Sequence, residues 1–241
     1  MRKLAKILII SGLAARLVAA EFGNRFEALK VAAAPAQLYA LLFDLPKGGD
    51  LHNHSGGSDR PEWIFAIGTD PARNGGDNFY TRASRIGHGV NLIKDPETLL
   101  LLQQTRRVLV EVNLISNRPL EFTPDLAKHP FPEYLRTGVP VCLNTDDRGM
   151  WDSNLADEYF AAVTLYRLSW EEVVQLGRNS LAYSFAQPTA KANLLADYET
   201  RVAAFEAKLS QGSVADALAK LTAIKSVTYG YAKRTWGREF E

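Results

Sequence analysis

The residues of this chain that could do chemistry fall in four clusters: His52 with His54, His88, Ser116-Asn117, and Asp146-Asp147. The only other histidine is His129, and Cys142 stands alone. A cysteine-based zinc site and an intrachain disulfide are therefore excluded, and metal chemistry must use His, Asp or Glu. On an extended segment side chains i and i+2 share a face, so His52 and His54 can reach one point. Two imidazoles and one carboxylate suit a catalytic divalent metal, zinc most readily. Asp146 is the carboxylate we select, with His88 beside it. Each feature alone has a plainer reading. A His-x-His pair is commonly structural, a lone His88 between two glycines serves equally as a core histidine, and paired aspartates are commonly turn residues. Their conjunction favours a site, because all four clusters fall where separate predicted strands end. His129, ahead of a proline and a helix, reads as structural, and Cys142 as a small buried apolar residue. Glu62 and Glu111 read as surface or strand residues.

The elements that must position these groups alternate in type. "LPKGGDLHNHSGG" reads as a short strand-like piece ending in a glycine cluster. Residues 85–92, 108–115 and 140–144 read as buried strands, with helices predicted over 96–104 and 130–137 between them. That rhythm argues for parallel strands joined by helical crossovers, whose C-terminal ends collect ligand-binding loops. Residues 24–43 predict a helix with Phe26, Leu29, Leu38, Leu41 and Leu42 on its apolar face. Beyond Met150 the pattern is helical throughout: Leu155, Tyr159, Val163 and Tyr166 recur, and Ser169 with Glu172 forms a capping box. Leu194, Leu195, Tyr198, Val202, Phe205 and Leu209 continue the periodicity past Pro188.

The 241 residues, 46% hydrophobic and 23% charged, fit one globular domain over 21–241 and exclude disordered, collagen and coiled-coil classes. A formal net charge of +1 gives no electrostatic reason to expect nucleic acid or an anionic membrane as partner. Residues 1–20 read as an export signal: Arg2, Lys3 and Lys6, an apolar run over 7–15, then Val18-Ala19-Ala20. That reading implies a secreted or periplasmic protein. The alternative is a short amphipathic first helix in a cytoplasmic one. The run falls short of the about 20 apolar residues that span a bilayer.

"PKGGDLHNHSGGS", "RIGHGVNL", "VEVNLISN" and "HPFPEYLRTGVPVCLNTDD" resemble, in that order, motifs of the adenosine deaminase superfamily. The nearest branch by phrasing is the secreted adenosine deaminase-related growth factor type, and "RNSLAYSF" in the helical tail is also similar. The resemblance implies a (β/α)8 barrel with one Zn2+ per chain at its C-terminal face. It assigns His52 and His54 of the first strand and Asp146 of the last as metal ligands. His88 would orient and deprotonate the attacking water, while Asp147 and Gly57 would contact a purine nucleoside. The implied reaction is hydrolytic deamination, in which oxygen replaces the amino group at C6 and ammonia leaves.

The chain departs from that pattern in one interval. From His54 to Arg85 is 31 positions (85 minus 54), room for one strand-helix unit at about 30 residues each. The family places four further strands there, with a His-Ala-Gly-Glu sequence supplying a third imidazole and the glutamate that protonates the purine ring. No His lies between His54 and His88, and Asn113-Leu114 stand where the family usually has Cys-Pro. The expected fold is therefore α/β: an incomplete (β/α)8 (TIM-type) barrel lacking about four central strands, with a helical C-terminal region and an apparent seam near 70–74. Open strand edges invite pairing with a second copy. The expected partner is a small-molecule purine nucleoside, with no nucleic acid and no membrane after signal removal. The alternative is a catalytically inactive homologue that binds a nucleoside or a partner, or a deletion product. An unrelated metal-dependent phosphoesterase is opposed by the histidine-glycine and Thr-Asp-Asp motifs, and the tail has no phosphate-binding glycine loop.

Overall fold

Parallel strands cannot be joined by a tight turn, and the strands of this chain are connected by helical crossovers accordingly. The computed structural model describes residues 21–52 and 84–221. Segment 1–20, the 70–74 seam, Glu62, and the site candidates His54 and Gly57 lie outside the described residues. β1 (Arg85–Gly87), β2 (Leu109–Val112) and β3 (Val141–Leu143) form a parallel sheet in the order β1-β2-β3. In its register Gly87 lies opposite Glu111, and Glu111 opposite Cys142. β2 and β3 are buried along their whole length, as a parallel sheet covered on both faces requires.

The strands are shorter than the apolar runs suggested, and the reason is local. After β1, His88 and Gly89 take left-handed backbone (φ 58 and 63) and divert the chain into a 3-10 turn over Val90–Lys94. After β2, residues Leu114–Asn117 close a helical turn. Its first N–H groups, on Leu114 and Ile115, donate to the buried Glu158 carboxylate at 2.9 and 3.1 Å. Burial raises the Glu158 carboxyl well above its usual range, opposed by these two bonds.

Among the described residues the helices of six or more residues are α1 (21–32), α2 (Pro35–Asp44), α3 (Pro96–Thr105), α4 (Phe131–Thr137), α5 (Leu155–Tyr166), α6 (Trp170–Ala182), α7 (Pro188–Ser210) and α8 (Val214–Ala219). The single helix expected over 24–43 is two, because Pro35 lacks an N–H and starts a new helix at its first turn. The Ser169 capping box forms as expected: Ser169 Oγ accepts from Glu172 N, and the Glu172 carboxylate accepts from Ser169 N. Trp170 then gathers three elements. Its ring stacks on Phe205 of α7 at 5.5 Å and meets Phe22 and Phe26 of α1 at 4.8 and 5.2 Å. On α7, Tyr198, Val202, Phe205 and Leu209 are buried, but Leu194 is exposed, since the first turns of this helix extend beyond the packed body. Among the described residues no helix is long and apolar enough to cross a membrane.

The piece expected as a first strand differs most. Residues 46–51 have no regular secondary structure and form no ladder strand among the described residues. Side chains hold them beside the end of β3 instead. Leu51 N and His52 N donate to Asn144 Oδ1 at 2.8 and 3.2 Å, and Thr145 Oγ1 donates to Asp50. Gly48 is left-handed (φ 76), and a Cβ there would lie 2.4 Å from the Gly177 carbonyl oxygen of α6. Glycine is what allows this close approach. One backbone bond, Asp146 N to His52 O at 2.8 Å, completes the docking.

Asn144 is fully buried, so Asn144→Leu strands two donors without an acceptor. Urea unfolding is expected to show a loss of about 2–4 kcal/mol, and amide exchange at Leu51 and His52 is expected to accelerate. Unchanged exchange at both amides contradicts the assignment.

Candidate metal centre

The ends of β1, β2 and β3 and the docked segment converge on one point. Glu111 of β2 is buried between two basic partners: His52 Nδ1 lies 3.0 Å from Oε2 and Arg85 Nε lies 2.9 Å from Oε1. The Arg85 guanidinium in turn sits 3.8 Å from the centre of the Phe185 ring. With the Nδ1 proton given to Glu111, the His52 Nε2 lone pair is directed away from β2. That nitrogen lies 3.5 Å from Asp146 Oδ1. The hydrogen bond that His52 donates to the Glu111 carboxylate raises the His52 pKa, burial opposes it, and the Asp146 charge adds to the rise.

His88 enters from the end of β1. Its ring meets the His52 ring edge-on at 5.2 Å, and its Nε2 lies 3.7 Å from Asp146 Oδ2. One ligand atom from each of His52, His88 and Asp146 falls within a 4.8 Å span. Both His88 and Asp146 have left-handed backbone, φ 58 and 56, a conformation that costs a non-glycine residue about 1–3 kcal/mol. Neighbours hold it: His88 N donates to Glu111 O, and Asp146 N to His52 O, both at 2.8 Å. Gly87 makes room, since a Cβ there would lie 2.9 Å from His52 Cε1.

The donor set fits a divalent metal. Tetrahedral zinc bound at about 2.0–2.2 Å separates its ligand atoms by about 3.3–3.6 Å. The His52 Nε2 to Asp146 Oδ1 separation of 3.5 Å matches. A carboxylate on the far nitrogen of a ligating histidine fixes its tautomer and orientation, which is the place of Glu111.

The structure thus brings together His52, His88 and Asp146. Asp147 follows, half-buried, and its carbonyl accepts from Met150 N at 2.9 Å. Glu111 is a strand residue as expected, but it is not at the surface and it orients His52. Its signal was a carboxylate between Val110 and Val112 in a strand otherwise wholly apolar. Cys142 is buried, and burial pushes its thiol up to about 12, so it is inert. His129 is buried and bonded as expected. Its Nδ1 accepts from Phe131 N at 3.0 Å, its Nε2 lies 2.8 Å from Asn117 Nδ2, and burial pushes its pKa down to about 4. Asn117 Oδ1 lies 2.7 Å from His88 Nδ1.

A sequence model of the adenosine deaminase family matches residues 79–201, and the chain belongs to that family. The adenosine deaminase of Enterococcus faecalis is 39% identical over 119 residues, covering 49% of this chain and 35% of that protein. The aminodeoxyfutalosine deaminase of Streptomyces avermitilis is 34% identical over 173 residues, 71% of this chain and 45% of that one. The crystal structure of adenine deaminase from Arthrobacter aurescens aligns at 28% identity and TM-score 0.47, over 62% of this chain and 42% of that one. The chain spans less than half the length of each of these relatives.

Two outcomes follow from this geometry. Glu111→Ala is expected to weaken Zn2+ binding about 10–100-fold in a competition titration with a chelating dye, and unchanged affinity removes the orienting role. His129 stays neutral in the fold down to about 4, whereas the unfolded chain takes up its proton near 6.5. The unfolded state binds more protons in that window, so this group's stabilisation is lost as pH falls from 6.5 toward about 4. By pH 4.5 the loss is about 2–3 kcal/mol. Urea unfolding of His129→Asn at pH 7.5 and about 4.5 should show a pH difference smaller by that amount, and an equal difference contradicts it.

Proposed function

We propose that this chain forms a zinc-dependent deaminase site acting on adenosine or a related purine nucleoside. The observation that carries the proposal is the convergence of His52 Nε2 and Asp146 Oδ1 at 3.5 Å, with the His52 ring locked by Glu111. His54 supplies the remaining imidazole, which gives the three protein ligands that catalytic zinc sites use. Zinc, when bound there, lowers the pKa of water to about 7 and so supplies hydroxide at neutral pH. Around it the chain's own groups divide the work. Asp146 and His52 hold the metal, His88 orients the attacking water, and Asp147 and Gly57 position the purine. At C6 a C–O bond forms, the C–N bond breaks, and ammonia leaves. Both curated relatives above are deaminases by name.

The same proposal reads β1–β3 and segment 46–52 as part of a (β/α)8 barrel that lacks about four central strands, with open edges suited to a second copy. No His-Ala-Gly-Glu sequence occurs in the chain. Without that glutamate, turnover is expected about 10²–10⁴-fold below a family member that has it.

The test pairs metal analysis with an absorbance assay on adenosine, the Enterococcus faecalis enzyme serving as reference. About one zinc per chain is expected, with slow loss of the adenosine band that Asp146→Ala abolishes. Zinc uptake with no turnover at saturating substrate assigns the chain to the alternative, a catalytically inactive homologue. No zinc uptake contradicts both.

A further inference from the structure

We infer that His129, acting through Asn117, fixes His88 as the tautomer protonated on Nε2, so that His88 enters the site as a hydrogen-bond donor and not as a metal ligand or base. The inference rests on the functional reading above only in taking the His88 ring to face the reacting water.

The chain of constraints begins at a backbone group. Phe131 N–H can only donate, and it lies 3.0 Å from His129 Nδ1, so that nitrogen carries a lone pair. His129 is 3% exposed and neutral at physiological pH, which places its one ring proton on Nε2. That N–H requires an acceptor, and the group facing it is the fully buried Asn117 amide. The amide's two polar atoms lie 2.8 Å from His129 Nε2 and 2.7 Å from His88 Nδ1. A half-turn about the last bond of Asn117 exchanges its oxygen and nitrogen without moving either position. With nitrogen toward His129, both His129 nitrogens would have to accept, which a neutral imidazole cannot do. With oxygen toward His129, each contact has one donor and one acceptor.

The Asn117 NH2 then faces His88 Nδ1, which must accept. Asn113 Nδ2, 3.4 Å away, presents a second amide to the same nitrogen. A neutral ring accepting at Nδ1 holds its proton at Nε2, the atom 3.7 Å from Asp146 Oδ2. His52 is the opposite case, since its Nδ1 proton goes to Glu111 and its Nε2 lone pair points inward. The two rings of the cluster are thereby set in opposite tautomers, one as ligand and one as donor. His88 can orient a water through Nε2–H, but it cannot take a proton at that nitrogen. This replaces the deprotonating role that the family resemblance implies.

The test uses the full chain labelled with 15N-histidine and long-range 1H–15N correlation at pH 8, with and without one equivalent of Zn2+. His88 is expected to show a protonated Nε2 and an unprotonated Nδ1, unchanged by zinc. Asn117→Asp, which can only accept, is expected to move the His88 proton to Nδ1 while His129 keeps its proton on Nε2. Should that variant fail to fold, the wild-type spectrum decides the question by itself. Nδ1–H on His88 in the wild type, loss of Nε2–H on adding zinc, or an unaltered His88 pattern in a folded Asn117→Asp variant overturns the inference. None of these readouts depends on turnover, so a failure here is distinct from a failure of the deaminase reading.

Discussion

The Glu111 carboxylate is the constraint on which the site depends. A carboxylate buried in a parallel strand is strongly unfavourable unless it is paired and hydrogen-bonded. Glu111 meets both conditions through Arg85 and His52, and each partner is thereby fixed. Arg85 is on the neighbouring strand β1, two residues before the Gly87 that lies opposite Glu111, and is backed by the Phe185 ring. His52 comes from the segment docked beside the end of β3, which forms no ladder among the described residues. The register that sets Gly87 opposite Glu111 leaves the space in which the His52 ring lies. Removing the carboxylate would take away the acceptor of His52 Nδ1 and the ion pair of Arg85.

The backbone adds a second layer of positioning. His88 and Asp146 occupy left-handed conformations that are unfavourable for their residue types, and both are anchored by N–H groups donating to neighbours at the site itself. The short strands serve the same end. Each stops just before a polar residue at the site. His88, Asn113 and Asn144 mark these three stops, and Asn144 spends its side-chain oxygen on tethering the His52 segment.

Much of this was legible in the sequence. The apolar runs around Ile86, Val110 and Val141 located the strands, and the His, Asn and Asp residues at their ends marked the site. Ser169 and Glu172 announced a helix start through their spacing. Glu111 was harder to place, because alternation cannot tell a carboxylate facing solvent from one facing a histidine 59 residues away in the chain. The "LPKGGDLHNHSGG" piece read as strand-like up to a glycine cluster, yet the Leu51 and Gly49 N–H groups donate to the side chains of Asn144 and Ser180, which are distant in sequence. Pro35 carried its own signal, which the apolar face on either side of it obscured. Leu194 kept helical spacing with Tyr198 and Val202, and spacing alone does not say where along a helix the packed body ends.

The family membership explains why these residue types occur together, while the geometry explains what each can do. On the proposed reading His52 and Asp146 hold a single metal ion, with Glu111 fixing the imidazole. A zinc-soaked crystal measured at the zinc absorption edge tests this most directly. An anomalous peak is expected about 2.0–2.2 Å from both His52 Nε2 and an Asp146 oxygen, with His52 Nδ1 still on the Glu111 carboxylate. A peak elsewhere, or none with His52 Nε2 and the Asp146 carboxylate turned apart, would contradict it.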